Sequence, residues 1–406
     1  MHTDTTCQSP DADRVGVLPR LGIFLSSLLV LGNYYYLYFV PFDQGSTNEP
    51  WTYSLLKPVG IMLLYCFLLS SKLKHNYRFH QVLFLLFFFY SFCAILLKRF
   101  AWDSGGLMFF NMVICALPLF VLVPRKQAII SFFETCLLII SAQVIIDYAI
   151  YINGYSLWNN KAFIGGLGNP SSFGFVCDVL IAYILHYRKY KTSSLIFFLI
   201  LSYGVIKSNA MLAVLVYAAL MISWGTKRLG LGFLFLCAII GTSLAIFSHD
   251  ILSRHLIYKL DSVLALFDDN ISASSISVSL RVQMHMYLLE QLRDNFFSVL
   301  FFGYPERYYY AADSQYLTYI GSFGLMASMI FFLATALALA HSYVHRRELS
   351  SFSWVAIIMF MLVFFTNRLL DYYPVALFLF LAMAVGTTST KSRRPVPVLS
   401  TQPRPA

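Results

Sequence analysis

Arg281 and His285 lie four residues apart in Ser279 to Asp294, where Leu280, Met284, Tyr287, Leu288 and Leu292 recur at helical spacing. That periodicity predicts a surface-lying amphipathic helix carrying both basic groups one turn apart. A guanidinium pinned at a membrane surface can clamp a phosphate through two parallel hydrogen bonds, and the plainer reading is a solvated polar face. Asp313 and Ser314 directly precede an apolar run, the position at which a carboxylate or hydroxyl caps a helix. A carboxylate fixed there can also accept a proton from a hydroxyl, and capping does not exclude that role. Lys207-Ser208-Asn209 interrupts another apolar stretch. A lysine at such a break needs a partner, a water-filled cavity, or a short reach to the interface by snorkelling.

Other groups could join these three. Lys161 to Gly174 (KAFIGGLGNPSSFG) has four glycines and an Asn169-Pro170 pair at the mouth of an apolar segment. With no preceding strand and no Walker lysine, it is no nucleotide loop. It suits a broken or unwound helix start, whose free N–H groups can receive an anion. Gly303-Tyr304-Pro305 marks a turn, after which Arg307, three tyrosines and Tyr316 approach the next apolar run. Arg254, Arg307 and Lys161 are further cations in reach of a site at that face, although aromatic residues at that depth more often form an interfacial belt. Glu134 and Asp147 read as paired structural polar groups. Asp268-Asp269 is the only adjacent acidic pair in the long polar stretch and reads as solvated surface, so no metal is expected.

The elements that must position these groups are membrane helices. Hydrophobic residues make up 59% of the 406 and charged residues 12%, a balance that satisfies its backbone in lipid only as helices. Apolar runs place spans near 21–41, 52–70, 79–97, 106–123, 127–152, 163–187, 194–206, 209–224, 229–247, 316–341, 352–370 and 372–386. The expectation is an all-α integral membrane protein of about twelve transmembrane helices, with a polar N-terminal tail over 1–20 and a membrane domain over 21–386. One long external loop near 248–315 contains the amphipathic helix, and a disordered basic tail occupies 387–406. The first 20 residues carry three aspartates and no apolar core, so they are not expected to be a cleavable signal.

Charge then orients the ladder. Eighteen lysines and arginines fall in alternate loops and the two tails, including Lys72, Lys74, Arg78, Arg125, Lys126 and Arg188. Opposite them, outside the long loop, stand only Lys98, Arg99, Lys161, Lys207 and Arg368, which predicts both termini in the cytoplasm. Reading 194–224 as two half-length spans meeting at Lys207-Ser208-Asn209 preserves this alternation, whereas one long helix inverts everything downstream. The net charge of +10 is thus accounted for by membrane orientation rather than nucleic acid. Six of the seven cysteines lie within expected spans, which speaks against disulfides and a cysteine metal site.

In chain order, Gly168-Asn169-Pro170-Ser171, the Lys207-Ser208 break, Ser279-Leu280-Arg281, Phe302-Gly303-Tyr304 and Asp313-Ser314-Gln315-Tyr316-Leu317 with Gly324 resemble the O-antigen polymerase (Wzy) and O-antigen ligase (WaaL) superfamily over roughly 160–330. Where the ligase branch typically has a histidine, this chain has Asp313, which favours the polymerase branch. The break reads Lys-Ser-Asn where many relatives look like Ser-Arg-Gly. The resemblance implies a GT-C-like fold in a bacterial inner membrane with its active loop in the periplasm. It implies transfer of a glycan from an undecaprenyl-diphosphate-linked donor onto an undecaprenyl-linked acceptor, with no cofactor and possible work beside a chain-length regulator protein. Arg281, Lys207 and Asp313 would be catalytic, and Arg254, Arg307, Lys161, Asn169, His285 and Tyr316 would bind substrate. A ligase using lipid A core as acceptor and a lipid-linked oligosaccharide flippase or carrier are the rival readings.

Overall fold

A computed structural model describes residues 16–32, 51–97, 104–155, 158, 161–188, 192–230, 276–304, 314–344, 348–370 and 373–388. These residues are mostly helical. In chain order the helices are α1 (Val17–Leu31), α2 (Trp51–Leu68), α3 (Phe79–Leu97), α4 (Ser104–Val121), α5 (Lys126–Ile152), α6 (Pro170–Tyr183), α7 (Thr192–Lys207) and α8 (Met211–Leu229). They continue with α9 (Ile276–Asp294), α10 (Phe296–Phe301), α11 (Gln315–Phe323), α12 (Leu325–Val344), α13 (Glu348–Val363) and α14 (Tyr373–Thr388). Four segments, Phe79–Leu97, Lys126–Ile152, Pro170–Arg188 and Leu325–Val344, are long and apolar enough to cross a bilayer, and shorter apolar helices accompany them. The chain is therefore a helical protein of membrane-embedded character.

Packing is carried by aromatic residues. Phe84, Phe87, Phe120, Tyr319, Phe323, Phe331 and Phe380 form a continuous set of ring contacts that joins α3, α4, α11, α12 and α14. A second set, Phe132, Phe133, Tyr183, Phe352 and Phe378, ties α5 and α6 to α13 and α14. In lipid the hydrophobic effect does little between helices, so close-packed rings and small residues must supply the cohesion. Outward-facing Leu86, Phe89, Leu138, Leu199 and Leu215 remain exposed, as lipid-facing side chains should.

Several expectations are corrected. The expectation of an all-α protein is departed from where Leu69–Leu73 (β1) pairs antiparallel with Leu122–Pro124 (β2), a two-stranded ribbon among mostly helical described residues. The span expected from 163 begins at Pro170, because Gly165–Leu167 forms a 3-10 turn, Gly168 is left-handed, and Asn169-Pro170 supplies a cap and a fixed first helical φ. The single span expected over 316–341 is two helices. Gly324 at φ 99° ends α11 and starts α12, so Gly321 and Gly324 do not share one helix. The half-length spans expected around Lys207 are α7, of 16 residues, and α8, of 19, long enough for roughly 28 Å. They fold back as a hairpin, with Tyr217 donating to Ser202 Oγ at 3.1 Å.

Contacts between chain-distant segments define two ends of the bundle. At one, Lys207 O accepts from Phe163 N, and Gln315 N donates to Phe364 O. Phe175 near the start of α6 packs edge-on against Phe360 near the finish of α13, so both contacts belong to the same end. At the other, Arg125 N donates to Leu68 O, the His80 and His341 rings meet, and His186 contacts Ser351. That second end collects Lys72, Lys74, Arg78, Arg125, Lys126 and Arg188.

Candidate functional site

Asp147, near the end of α5, organises the first of these ends. One of its carboxylate oxygens accepts from the backbone amides of Ile164 and Gly165, at 3.0 and 2.9 Å. One turn earlier Gln143 accepts from Gly166 N and donates to Leu31 O, stitching the turn to α1. A Cβ on Gly166 would stand 1.8 Å from Leu31 O, so only glycine fits. The amides expected to receive an external anion are thus already occupied by the protein's own carboxylate and amide. Asn169 likewise spends its side-chain oxygen on Ser172 N as the N-cap of α6.

This preformed turn holds Lys161 near Lys207. Phe163 N donates to Lys207 O at 2.9 Å, locking the turn to the end of α7. Lys207 Nζ lies 4.6 Å from the Tyr151 ring centre and 5.9 Å from that of Tyr203, while Lys161 Nζ lies 5.9 Å from the same Tyr151 ring. Two ammonium groups therefore share one aromatic ring. Each gains a cation–π contact of roughly 0.5–2 kcal/mol while repelling the other. Lys161 adopts φ 55° and Asn209 φ 52°. Asparagine tolerates the left-handed region, whereas lysine there is strained by about 1–3 kcal/mol, a cost that collects at functional positions. Buried Ser208 completes the turn by donating to Val205 O, and Gly174 of α6 packs against it. The break is a rigid corner, with a half-buried lysine on one flank.

At the same end, Ser314 caps α11 by accepting from Leu317 N at 3.4 Å, and its hydroxyl donates to Phe364 O at 3.0 Å. The capping role expected of Asp313-Ser314 thus falls to the serine. Gln315, fully buried, accepts from Leu370 N, and its Nε2 has no acceptor among the described residues. Sequence reasoning gave Gln315 no role, and only its place beside Asp313 pointed to one. Tyr316 is turned inward, its hydroxyl bonded to Met361 O at 3.4 Å and its ring packed on Phe365. The geometry makes it a packing residue.

The amphipathic helix is present as α9, but it is not a free surface element. Leu288 is buried against Leu317 and Ile320, while Met286 and Leu289 on the other side are exposed. The Tyr287 and Tyr304 hydroxyls are hydrogen-bonded to each other. Gly303, at φ 79°, lies so close to Gly321 O that a Cβ there would be 2.5 Å away, and Gly324 presses equally on Phe301. Residues 301–304 are therefore seated across the α11–α12 break. Arg281 and His285 lie on α9, with side chains outside the described residues, as are Arg254, Arg307 and Asp313 in full. Of the nine expected site residues, the structure brings Lys161, Lys207 and Asn169 to one turn and Tyr316 to the same end.

Two carboxylates elsewhere differ in kind, half-exposed Glu134 and buried Asp178. Glu134 is paired, accepting from Tyr183 and standing 3.4 Å from Arg188. Asp178, fully buried in α6, has no partner for either oxygen among the described residues. Comparison with known protein families found no matching family model, and comparison with curated proteins found no match.

Proposed function

We propose that this protein is a membrane glycosyltransferase that polymerises undecaprenyl-diphosphate-linked oligosaccharide repeat units into O-antigen or a related surface polysaccharide. In this reading about twelve helices span a bacterial inner membrane, both termini are cytoplasmic, and the long loop is periplasmic. The observation that carries the reading is the pair Lys161 and Lys207 around Tyr151, fixed cations at the end away from the basic loops. A lipid diphosphate leaving group is the ligand such cations suit.

The reaction follows from where charge develops. As the donor's anomeric C–O bond to the diphosphate breaks, its electron pair stays on the diphosphate, and preorganised cations stabilise that charge. Lys207 with Arg281 performs this role, and Lys161, Arg254 and Arg307 extend the positive field. The acceptor's sugar hydroxyl attacks the anomeric carbon, forming the new glycosidic bond, and gives its proton to Asp313. In the sequence Asp313 directly precedes Ser314, the N-cap of α11. Gln315 Nε2 is a further donor for orienting a sugar oxygen.

Changing Arg281 to Ala, with membrane insertion intact, is expected to abolish chain extension and leave single repeat units at the cell surface. A gel of surface glycan from a deletion strain complemented with the variant reads this directly. Loss of every attached glycan, single units included, overturns polymerisation in favour of ligation or transport. Asp178 favours a carrier as the second reading, since an ionisable group deep in a bundle with no partner among the described residues is the kind that marks a transport path. Asp178→Asn separates the two: a carrier loses all surface glycan, whereas a polymerase, whose chemistry does not use Asp178, retains polymer.

A further inference from the structure

The end opposite the candidate site contains a cluster that the glycosyl-transfer chemistry does not use. Lys74 follows the β1 strand and is drawn inward, its ammonium donating to Leu119 O at 2.6 Å while its backbone N–H donates to Val121 O. That bond uses one of three ammonium N–H groups. Arg78 begins the turn into α3, half-buried, and its backbone N–H is held by Gln81 Oε1. His80, 4% exposed, stacks at a tilt on His341 with ring centres 5.7 Å apart. Its Nε2 is buried with no partner among the described residues. Burial, and secondly the positive charge of Arg78, pulls the Lys74 pKa down to about 8.

These residues come from three separate segments. The β1–β2 ribbon fixes Lys74, the start of α3 supplies Arg78 and His80, and the last turn of α12 supplies His341. Exposed Leu73, Tyr77 and Phe79 surround them, a mixture of apolar and aromatic surface that belongs at a bilayer interface. The helix end carbonyl at Leu119 supplies only a partial negative charge. Among the described residues, no carboxylate lies within ion-pair distance of Lys74.

We infer that Lys74, Arg78, His80 and His341 form a binding site for a phosphate anion at the basic end of the bundle, filled by an anionic lipid headgroup or by a soluble phosphate. The shared chemistry is a phosphate oxygen placed between the Lys74 ammonium and the Arg78 guanidinium, accepting from a His80 Nε2–H. Exposed Tyr77 and Phe79 beside these groups provide the surface along which acyl chains would lie. Basic pockets between transmembrane helices at this interface are where acidic lipid headgroups are held.

The test uses the full chain, purified in detergent and exchanged into nanodiscs of phosphatidylcholine alone or with phosphatidylglycerol. Thermal stability and lipid retention by native mass spectrometry are read with and without inorganic phosphate. Preferential retention of phosphatidylglycerol, reduced about tenfold by Lys74→Gln or Arg78→Gln and unaffected by Lys72→Gln, supports a lipid site. Stabilisation by inorganic phosphate in pure phosphatidylcholine, lost in the same variants, supports a soluble phosphate. Equal retention of both lipids with no phosphate effect, or a preference that survives both substitutions, overturns the site. Where Lys74→Gln does not fold, Arg78→Gln, which leaves the Leu119 bond intact, decides.

Discussion

The two ends of the bundle hold their cations in opposite ways. At one end the described basic residues are few, and Lys161 and Lys207 are fixed by a stitched turn and a shared tyrosine. At the other they are many, most lie in short connections, and Lys74 and Arg78 sink beneath the surface beside two histidines. Charge number sets which way a polytopic chain inserts. Charge placement determines whether a leaving group can be stabilised, because only a fixed dipole or charge avoids reorganising during the reaction.

Under the proposed polymerisation, substitutions should separate the ends. Lys207→Ala is expected to slow chain extension by about 10²–10³-fold, measured as polymer formed from lipid-linked repeat units, with lipid retention at the opposite end unchanged. Asp147→Ala leaves the Ile164 and Gly165 amides without their acceptor and should cost about 3 kcal/mol, seen as a lowered thermal midpoint in detergent. Tyr151→Leu removes the ring that both lysines share and should reduce extension about fivefold while the protein stays folded. Lys161→Gly should uncouple stability from activity. Relief of the φ 55° backbone raises the thermal midpoint by the equivalent of about 1 kcal/mol, while loss of the ammonium lowers extension.

The smallest effect is one of pH. Lys74 has its pKa depressed to about 8, so it is charged at pH 7 and largely neutral by pH 9. Phosphate binding at the basic end should weaken about threefold as pH rises through that range, because the neutral amine keeps a hydrogen bond to the anion and loses only the charge. The other groups facing it are Arg78, His80 and His341. An unchanged phosphatidylglycerol preference between pH 7 and 9 removes Lys74 from that site.

The difference between the ends also explains what the sequence discloses. The spans at 52–70, 79–97, 106–123 and 127–152 agree with α2 to α5 within a few residues, because a long uninterrupted apolar run has no competing local signal. Boundaries failed where a glycine had two meanings. Gly324 suits close packing and also a left-handed stop, and it does both, since Phe301 lies against it. The β1–β2 ribbon was invisible because residues in two short loops pair across a long stretch of chain. Asn169-Pro170 signals a helix start, but the apolar Phe163 and Ile164 before it extend the expected span.

At the site, the type and place of Lys207 were legible and its companions were not. Tyr151 read as one more residue of a span, and nothing in its neighbourhood of sequence announces a lysine ten residues later or another at the end of a different helix. The anion receptor expected of the glycine-rich segment was half legible. Its amides do converge on an oxygen, but that oxygen is Asp147's. Polarity patterns specify that backbone donors need satisfaction; they do not specify which acceptor comes.

That internal acceptor has a consequence for timing. With a carboxylate already seated, the glycine-rich turn is assembled as the helices pack, before any ligand approaches, and the two lysines inherit their positions from it. Occupancy by substrate then has little ordering left to do here, so affinity should report electrostatics rather than a fold being completed.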